Sequence, residues 1–239
     1  KLSKEITNSI NIPTIGIGNL SVGGTGKTPM VECLIQLLSE QYRIAVLSRG
    51  YGRTSKGFIL ANIDSKVSQI GDEPLQIKKK FPNIIIAVDA NRRRGMTQLR
   101  KLPSPPNLII LDDVLQHRAV SPAVLILLTT FNNPYFKDMV LPIGDLREPR
   151  SGAARADLIV VTKCPEDISE NKKNMFTISL NPRNYQSIWF SGIKYNDIVF
   201  NDNDSMPLGE FVKSTFTLIT GIANPKPLVK FLESRGADF

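Results

Sequence analysis

A run of small residues ending in a lysine and a threonine, Ser21-Val22-Gly23-Gly24-Thr25-Gly26-Lys27-Thr28, has the composition of a phosphate cradle. Backbone N–H groups of a glycine-rich turn can converge on phosphate oxygens, and the start of a following helix adds partial positive charge. In that arrangement Gly23, Gly24, Thr25 and Gly26 supply the turn, and Lys27 reaches the β- and γ-phosphates. Thr28 places its hydroxyl on a magnesium ion. The first glycine of the strict pattern is Ser21 here. Gly16 and Gly18 open a dinucleotide-type spacing, but its third glycine position is again Ser21, so that motif fails.

Other residues of chemical interest stand where apolar runs end. Leu108–Leu111 runs into Asp112 and Asp113, the pattern of a carboxylate that holds Mg²⁺ beside a phosphate loop. Gln116 and His117, the chain's sole histidine, follow closely. Ser48-Arg49-Gly50-Tyr51-Gly52 is either a plain turn or a loop that can lie against a ligand, with Arg49 as an anion ligand. Asp72 in Gly71-Asp72-Glu73-Pro74 is either a helix N-cap or a catalytic acid. Arg92, Arg93 and Arg94 follow Asp89 and could meet phosphate, and Leu146-Arg147-Glu148-Pro149 places a base beside an acid in a long loop. Thr162-Lys163-Cys164-Pro165 occupies the place where GTPases carry Asn-Lys-x-Asp; Pro165 removes the carboxylate that reads guanine, which favours ATP.

These residues need a scaffold that brings many loops to one edge. Pro13–Gly18, Arg43–Leu47, Ile84–Val88, Leu108–Leu111, Val124–Leu128 and Leu158–Val161 are short, continuous apolar runs. Runs without alternation suit strands buried on both faces, hence a mainly parallel sheet with helices on each side. Pro29–Glu40 places Met30, Val31, Leu34, Leu37 and Leu38 on one helical face. The expectation is a P-loop NTPase-like α/β domain over residues 1–183. A two-stranded linker region over 184–214 follows, with Ser187–Ile193 and Tyr195–Phe200 around a tight connection. Residues 215–239, with a strand at Phe216–Thr220 and a helix near Lys226–Ser234, read as the start of a second, smaller α/β domain continuing beyond the chain. The lack of an initiator methionine suggests truncation at the front as well.

Composition limits the partners. The 239 residues are 41% hydrophobic and 22% charged, ordinary for a globular chain, and no apolar run approaches the ~20 residues of a membrane-spanning helix. A net charge of +8 favours anionic partners without choosing among nucleotide, nucleic acid and membrane. Cys33 and Cys164 have no metal-ligand spacing and read as reduced thiols.

Taken together, Gly18–Pro29, Ser48–Gly52, Gly71–Pro74, Asp112-Asp113 with Gln116-His117, Leu146–Pro149 and Thr220–Pro225 resemble, in order, the tetraacyldisaccharide 4′-kinases, the lipid A 4′-kinases of Gram-negative bacteria. Where that family usually has Gly-Phe after its paired acids, this chain has Val114-Leu115. The resemblance implies ATP- and Mg²⁺-dependent phosphorylation of the 4′-hydroxyl of a tetraacylated glucosamine disaccharide 1-phosphate. It places that work peripherally at the cytoplasmic face of the bacterial inner membrane, with the acylated disaccharide and the membrane surface, rather than nucleic acid, as partners. It makes Asp72 the general base and gives Asp112 and Asp113 to metal and nucleotide. It puts Arg92, His117, Arg147 and Glu148 in the site, Glu148 among the metal ligands. The rival is a P-loop switch or partitioning ATPase acting at the membrane. Such proteins often carry a second lysine before the paired glycines, where this chain has Val22. A nucleotide-binding membrane module without turnover is a third reading.

Overall fold

The computed structural model describes residues 12–201, 204–221 and 225–238. The polar segment before Ile12 and the centre of the Thr220–Pro225 motif lie outside them. Two compact units divide the chain, one through Gly192 and one from Ile193.

In the first unit, eight strands among the described residues form one sheet: β1 (Thr14–Asn19), β2 (Ile44–Ser48), β3 (Ile59–Leu60), β4 (Ile85–Val88), β5 (Leu108–Leu111), β6 (Val124–Thr130), β7 (Leu158–Cys164) and β8 (Ser187–Gly192). Their order is β3-β4-β2-β5-β1-β6-β7-β8, and every pairing is parallel except β3 with β4. The α-helices that accompany them are α1 (Lys27–Leu38), α2 (Val67–Ile70), α3 (Asp72–Lys80), α4 (Arg92–Arg100) and α5 (Glu170–Leu180).

Successive strand residues feed two separate cores. Ala45, Leu47, Ile109, Leu111, Leu125 and Leu127 face one side, where Met96 and Leu99 of α4 pack. Ile44, Val46, Leu108, Ile110, Ile126 and Leu128 face the other, against Val31 and Ile35 of α1 and Leu75 and Ile77 of α3. The period of two is intact; it is invisible in the sequence because both faces are apolar. Val114 and Leu115 are buried in the first of these cores. Gly18 explains part of the dinucleotide-like spacing: a Cβ there would lie 2.5 Å from the Leu115 Cβ, so the glycine lets the turn after β5 press against β1.

The sheet extends further than the sequence suggests. Ser187–Gly192 pairs in parallel with β7 and belongs to the large sheet, rather than pairing with Tyr195–Phe200 as a linker. Its alternation of exposed and half-buried residues reads like a hairpin strand, but such a pattern equally suits a sheet edge.

The second unit has an antiparallel pair, β9 (Ile198–Phe200) and β10 (Ser205–Pro207), with helices α6 (Leu208–Phe211) and α7 (Lys226–Ser234). Leu208, Val212 and Leu232 form its small core, and Tyr195 stacks on Phe231 with ring centroids 4.5 Å apart. α7 spans the residues expected of it. No strand forms over 215–220, contrary to the βα reading there. An apolar run becomes a strand only when a ladder partner is available.

Candidate functional site

The chemically interesting residues gather at the carboxyl ends of the parallel strands. β1 lies at the centre, between β5 and β6, and chains leaving neighbouring strands diverge there to form the crevice in which open α/β sheets bind ligands. The segment after β1 passes through Gly23 and Gly26, with φ of 97° and 91°, before entering α1. Gly26 caps that helix without any side-chain hydrogen bond. The first-turn amides are thus available to an anion. Ser21 is not at a left-handed position. It forms a β-bridge with Leu146, where a side chain is tolerated, which accounts for the missing first glycine.

The Leu146–Pro149 loop is stitched to this turn. Val22 N–H donates to Asp145 O at 2.7 Å, and Arg147 N–H donates to Leu20 O at 2.7 Å. Arg147 is thereby carried to Asp113, whose carboxylate it meets through Nη1 at 3.1 and 3.0 Å. Lys27 Nζ lies 3.5 Å from Asp113 Oδ1 and donates to Asn19 Oδ1 at 3.4 Å. Asp113 has a φ of 49°, a left-handed backbone that aspartate tolerates better than most residues. The paired acids therefore diverge: Asp113 turns toward Lys27 and Arg147, and Asp112 turns inward.

Asp112 is 4% exposed. Its Oδ2 accepts from Ser48 Oγ at 3.1 Å, whereas Oδ1 has no hydrogen-bond partner among the described residues. Burial, followed by the negative charges of Glu73 and Asp113, pushes its carboxyl up to about 6. A buried carboxylate oxygen with nothing to bind is costly unless a cation supplies the partner. The Thr25 hydroxyl is similarly buried and unsatisfied among the described residues.

Arg92 departs from the expectation that it binds phosphate. It is 1% exposed, and its guanidinium donates to Asp89 O at 2.7 Å and to Asp112 O at 2.9 Å. Burial lowers it to about 10, against the opposing pull of Asp112 and Asp113. Both terminal nitrogens are spent on main-chain carbonyls, while Nε has no hydrogen-bond partner among the described residues, so Arg92 positions the turn that carries the acids. The neighbouring Arg94 forms a bidentate pair with buried Asp89 at 2.8 Å through each nitrogen. His117 is half-buried; burial, then Arg92 and Arg49, lower its affinity for a proton, which favours neutral imidazole.

Glu148 also differs from its expected place among the metal ligands. Its Oε1 accepts from Arg155 at 2.7 Å and Gln116 at 3.1 Å, and Arg118 stands 3.6 Å from Oε2. Among the described residues no group of three or more carboxylate, histidine or cysteine side chains gathers as a metal cage. The carboxylate of Glu148 is satisfied by cations of the protein itself. Asp112, Asp113 and Glu148 therefore do not converge.

Asp72 is the first residue of α3, and the cap position belongs to Gly71 at φ 90°. No side-chain cap bond forms there, so the capping reading of Asp72 fails and its exposed carboxylate is left for other work. Gly71 is needed for packing as well: a Cβ there would lie 2.8 Å from Tyr51 O. That close approach locks the Ser48–Gly52 loop onto the start of α3 and sets Arg49 and Asp72 on neighbouring segments.

A glycine turn leading into an uncapped helix, a lysine reaching an aspartate from the next strand, and a buried acid with an open oxygen define a P-loop nucleotide-binding protein. The chain matches the family of tetraacyldisaccharide-1-P 4′-kinases, LpxK, over residues 3–239, and it belongs to that family. It is 50% identical over 226 residues to a tetraacyldisaccharide 4′-kinase of Flavobacterium psychrophilum, covering 94% of this chain and 66% of that protein. It is 44% identical over 236 residues to one of Bacteroides thetaiotaomicron, covering 94% and 62%. It thus spans just under two thirds of the length of these relatives. The solved structure of LpxK from Aquifex aeolicus in complex with ATP is similar with a TM-score of 0.57 at 27% identity, covering 96% of this chain and 88% of that one.

Proposed function

We propose that the protein transfers the γ-phosphoryl group of ATP to the 4′-hydroxyl of a tetraacylated glucosamine disaccharide 1-phosphate. The observation that carries this reading is the convergence of Lys27, Arg147 and Asp113 beside the glycine turn in a chain that matches the kinase family from residue 3 to 239. Phosphoryl transfer needs alignment and charge neutralisation more than covalent help from the protein. The amides of Gly24 and Gly26–Thr28 and the Lys27 ammonium bind the phosphates; Asp113, itself held by Arg147, and Asn19 position Lys27. Asp72 accepts the proton of the attacking sugar hydroxyl. His117, kept neutral, is suited to orient a neighbouring polar group and adds no charge.

A magnesium ion would be held by Asp112, whose Oδ1 has no partner among the described residues, and by the hydroxyl of Thr28 in the first turn of α1. When bound, the ion neutralises charge on the transferring phosphoryl group.

The acceptor's acyl chains belong in a bilayer, so the protein works peripherally at the cytoplasmic face of the inner membrane. The described residues contain no helix long and apolar enough to cross a membrane. Incubation with γ-labelled ATP and the acylated disaccharide 1-phosphate should place label on the lipid, only when the acceptor is present. Label released as free phosphate at the same rate without acceptor would instead support the switch-ATPase reading.

The open carboxylate of Asp112 has a consequence for stability. Its folded-state pKa is raised from 3.8 to about 6. Below the unfolded value the group is neutral in both states and burial carries no charge penalty. Between about pH 4 and 6 the folded state binds more protons, so stability falls as pH rises, and above 6 the penalty is fully present. Asp112→Asn should therefore raise the denaturation midpoint at pH 7.5 and flatten its pH dependence from 4 to 6. Urea titrations across that range in metal-free buffer check this; an equal or steeper pH slope in the variant would count against it.

A further inference from the structure

The carboxyl end of β7 carries a backbone irregularity directed at the glycine turn. Lys163 has a φ of 57°, in the left-handed region that lysine seldom adopts, and the β7–β8 register shifts between Val161 and Cys164. The result is that two successive side chains reach the same stretch of the turn. Thr162 Oγ1 donates to Thr25 O at 2.8 Å, and Lys163 Nζ donates to Gly24 O at 2.7 Å.

These two bonds act on peptide planes. In a trans peptide the C=O and the following N–H point in opposite directions. Holding Gly24 O toward β7 turns the Thr25 N–H away from it, where it meets Gly23 O at 3.1 Å. Holding Thr25 O toward β7 turns the Gly26 N–H away likewise. A turn built from glycines has many accessible backbone states, and it binds an anion well only when its amides are held in convergent directions. The Ser21–Leu146 bridge fixes the turn at its entry and α1 fixes it at its exit, so Thr162 and Lys163 supply the hold in the middle.

We propose that Lys163, with Thr162, is a positioning residue for nucleotide binding: it fixes the Gly24–Gly26 backbone so that the Gly26 amide faces away from β7, free for a phosphate, and adds a positive charge beside it. The nucleotide part of this inference rests on the function proposed above. The left-handed backbone at 163 follows from this role, since the extended form would project the side chain elsewhere.

Asparagine accepts a left-handed backbone better than lysine but is too short to reach Gly24 O. Lys163→Asn is therefore expected to leave the melting temperature unchanged or higher while weakening ATP binding about tenfold, with kcat for the lipid acceptor nearly kept at saturating ATP. Lys163→Arg, which keeps charge and donors, should restore most of the affinity. Independently of nucleotide, millisecond hydrogen exchange should quicken at residues 24–26 in Lys163→Asn and not elsewhere. Unchanged ATP affinity, or unchanged exchange at 24–26, would overturn the inference. So would parallel loss of melting temperature and affinity, since that is what a purely structural contact produces. If the unaltered chain fails to bind ATP, the function reading falls and the exchange result alone decides whether Lys163 latches the turn.

Discussion

Lys27→Ala should abolish measurable phosphoryl transfer while leaving the protein folded. The Lys27 side chain touches Asn19 and Asp113 at 3.4 and 3.5 Å, and it packs no core. Its partner Asp113 keeps two hydrogen bonds from Arg147 when Lys27 is removed, so the fold loses no sole partner of a charge. In the function proposed above its charge acts instead on phosphate oxygens, where transition-state charge accumulates. Loss of one preorganised donor typically costs ~10²–10³-fold in turnover, and loss of a full charge at the γ-phosphate exceeds that. Alanine also leaves Asp113 with Arg147 as its one cationic partner among the described residues, so its negative charge beside the incoming phosphates is less well offset, an effect that methionine at position 27 would share. Kinase assays and thermal melts on the same preparation check this. A folded Lys27→Ala protein with more than about a tenth of normal turnover would refute the role given to Lys27.

The second large effect concerns Asp72. Asp72→Asn should lower turnover by about 10²–10⁴-fold, the usual loss when a general base is removed, with ATP affinity nearly unchanged. The structure removes the competing explanation, because Gly71 and not Asp72 occupies the cap position. What stability Asp72 contributes comes from its place in the first turn of α3, about 0.3–1 kcal/mol through the helix dipole. Glu73 offers a control. It influences the ionisation of Asp112, so Glu73→Gln should alter metal dependence more than proton abstraction. Turnover that survives Asp72→Asn within about tenfold, with a lowered melting temperature, would make Asp72 structural.

What is local in the chain is legible in its residues. The phosphate turn, seven of the eight strands of the large sheet (though not the place of β8 in it) and helix α1 can be read because spacing and apolar content over a few residues determine them. The partners across the site are less accessible. Arg147 reaches Asp113 only because residues 145–147 hydrogen-bond to the turn after β1, and no periodicity signals a contact over 34 residues. Arg92 reads as a phosphate ligand since arginines are rarely buried; two carbonyl acceptors on separate loops reverse that default. Glu148 is drawn from the metal set by Arg155, seven residues away through a 3₁₀ turn. Lys163 carries one usable signal, its place beside an apolar strand end, but its left-handed backbone is not written in residue types.

The burial of Arg92 has a bearing on how the protein folds. Its guanidinium joins the chain leaving β4 to the chain leaving β5, through Asp89 O and Asp112 O. Dehydrating a guanidinium is unfavourable until both acceptors are present, so neither chain end gains from meeting it alone. The two ends are therefore expected to order together, on the frame in which β4 and β5 flank β2. Loosening either end would rehydrate the cation and release the other, so this part of the molecule is expected to open as one cooperative unit rather than as two independent loops.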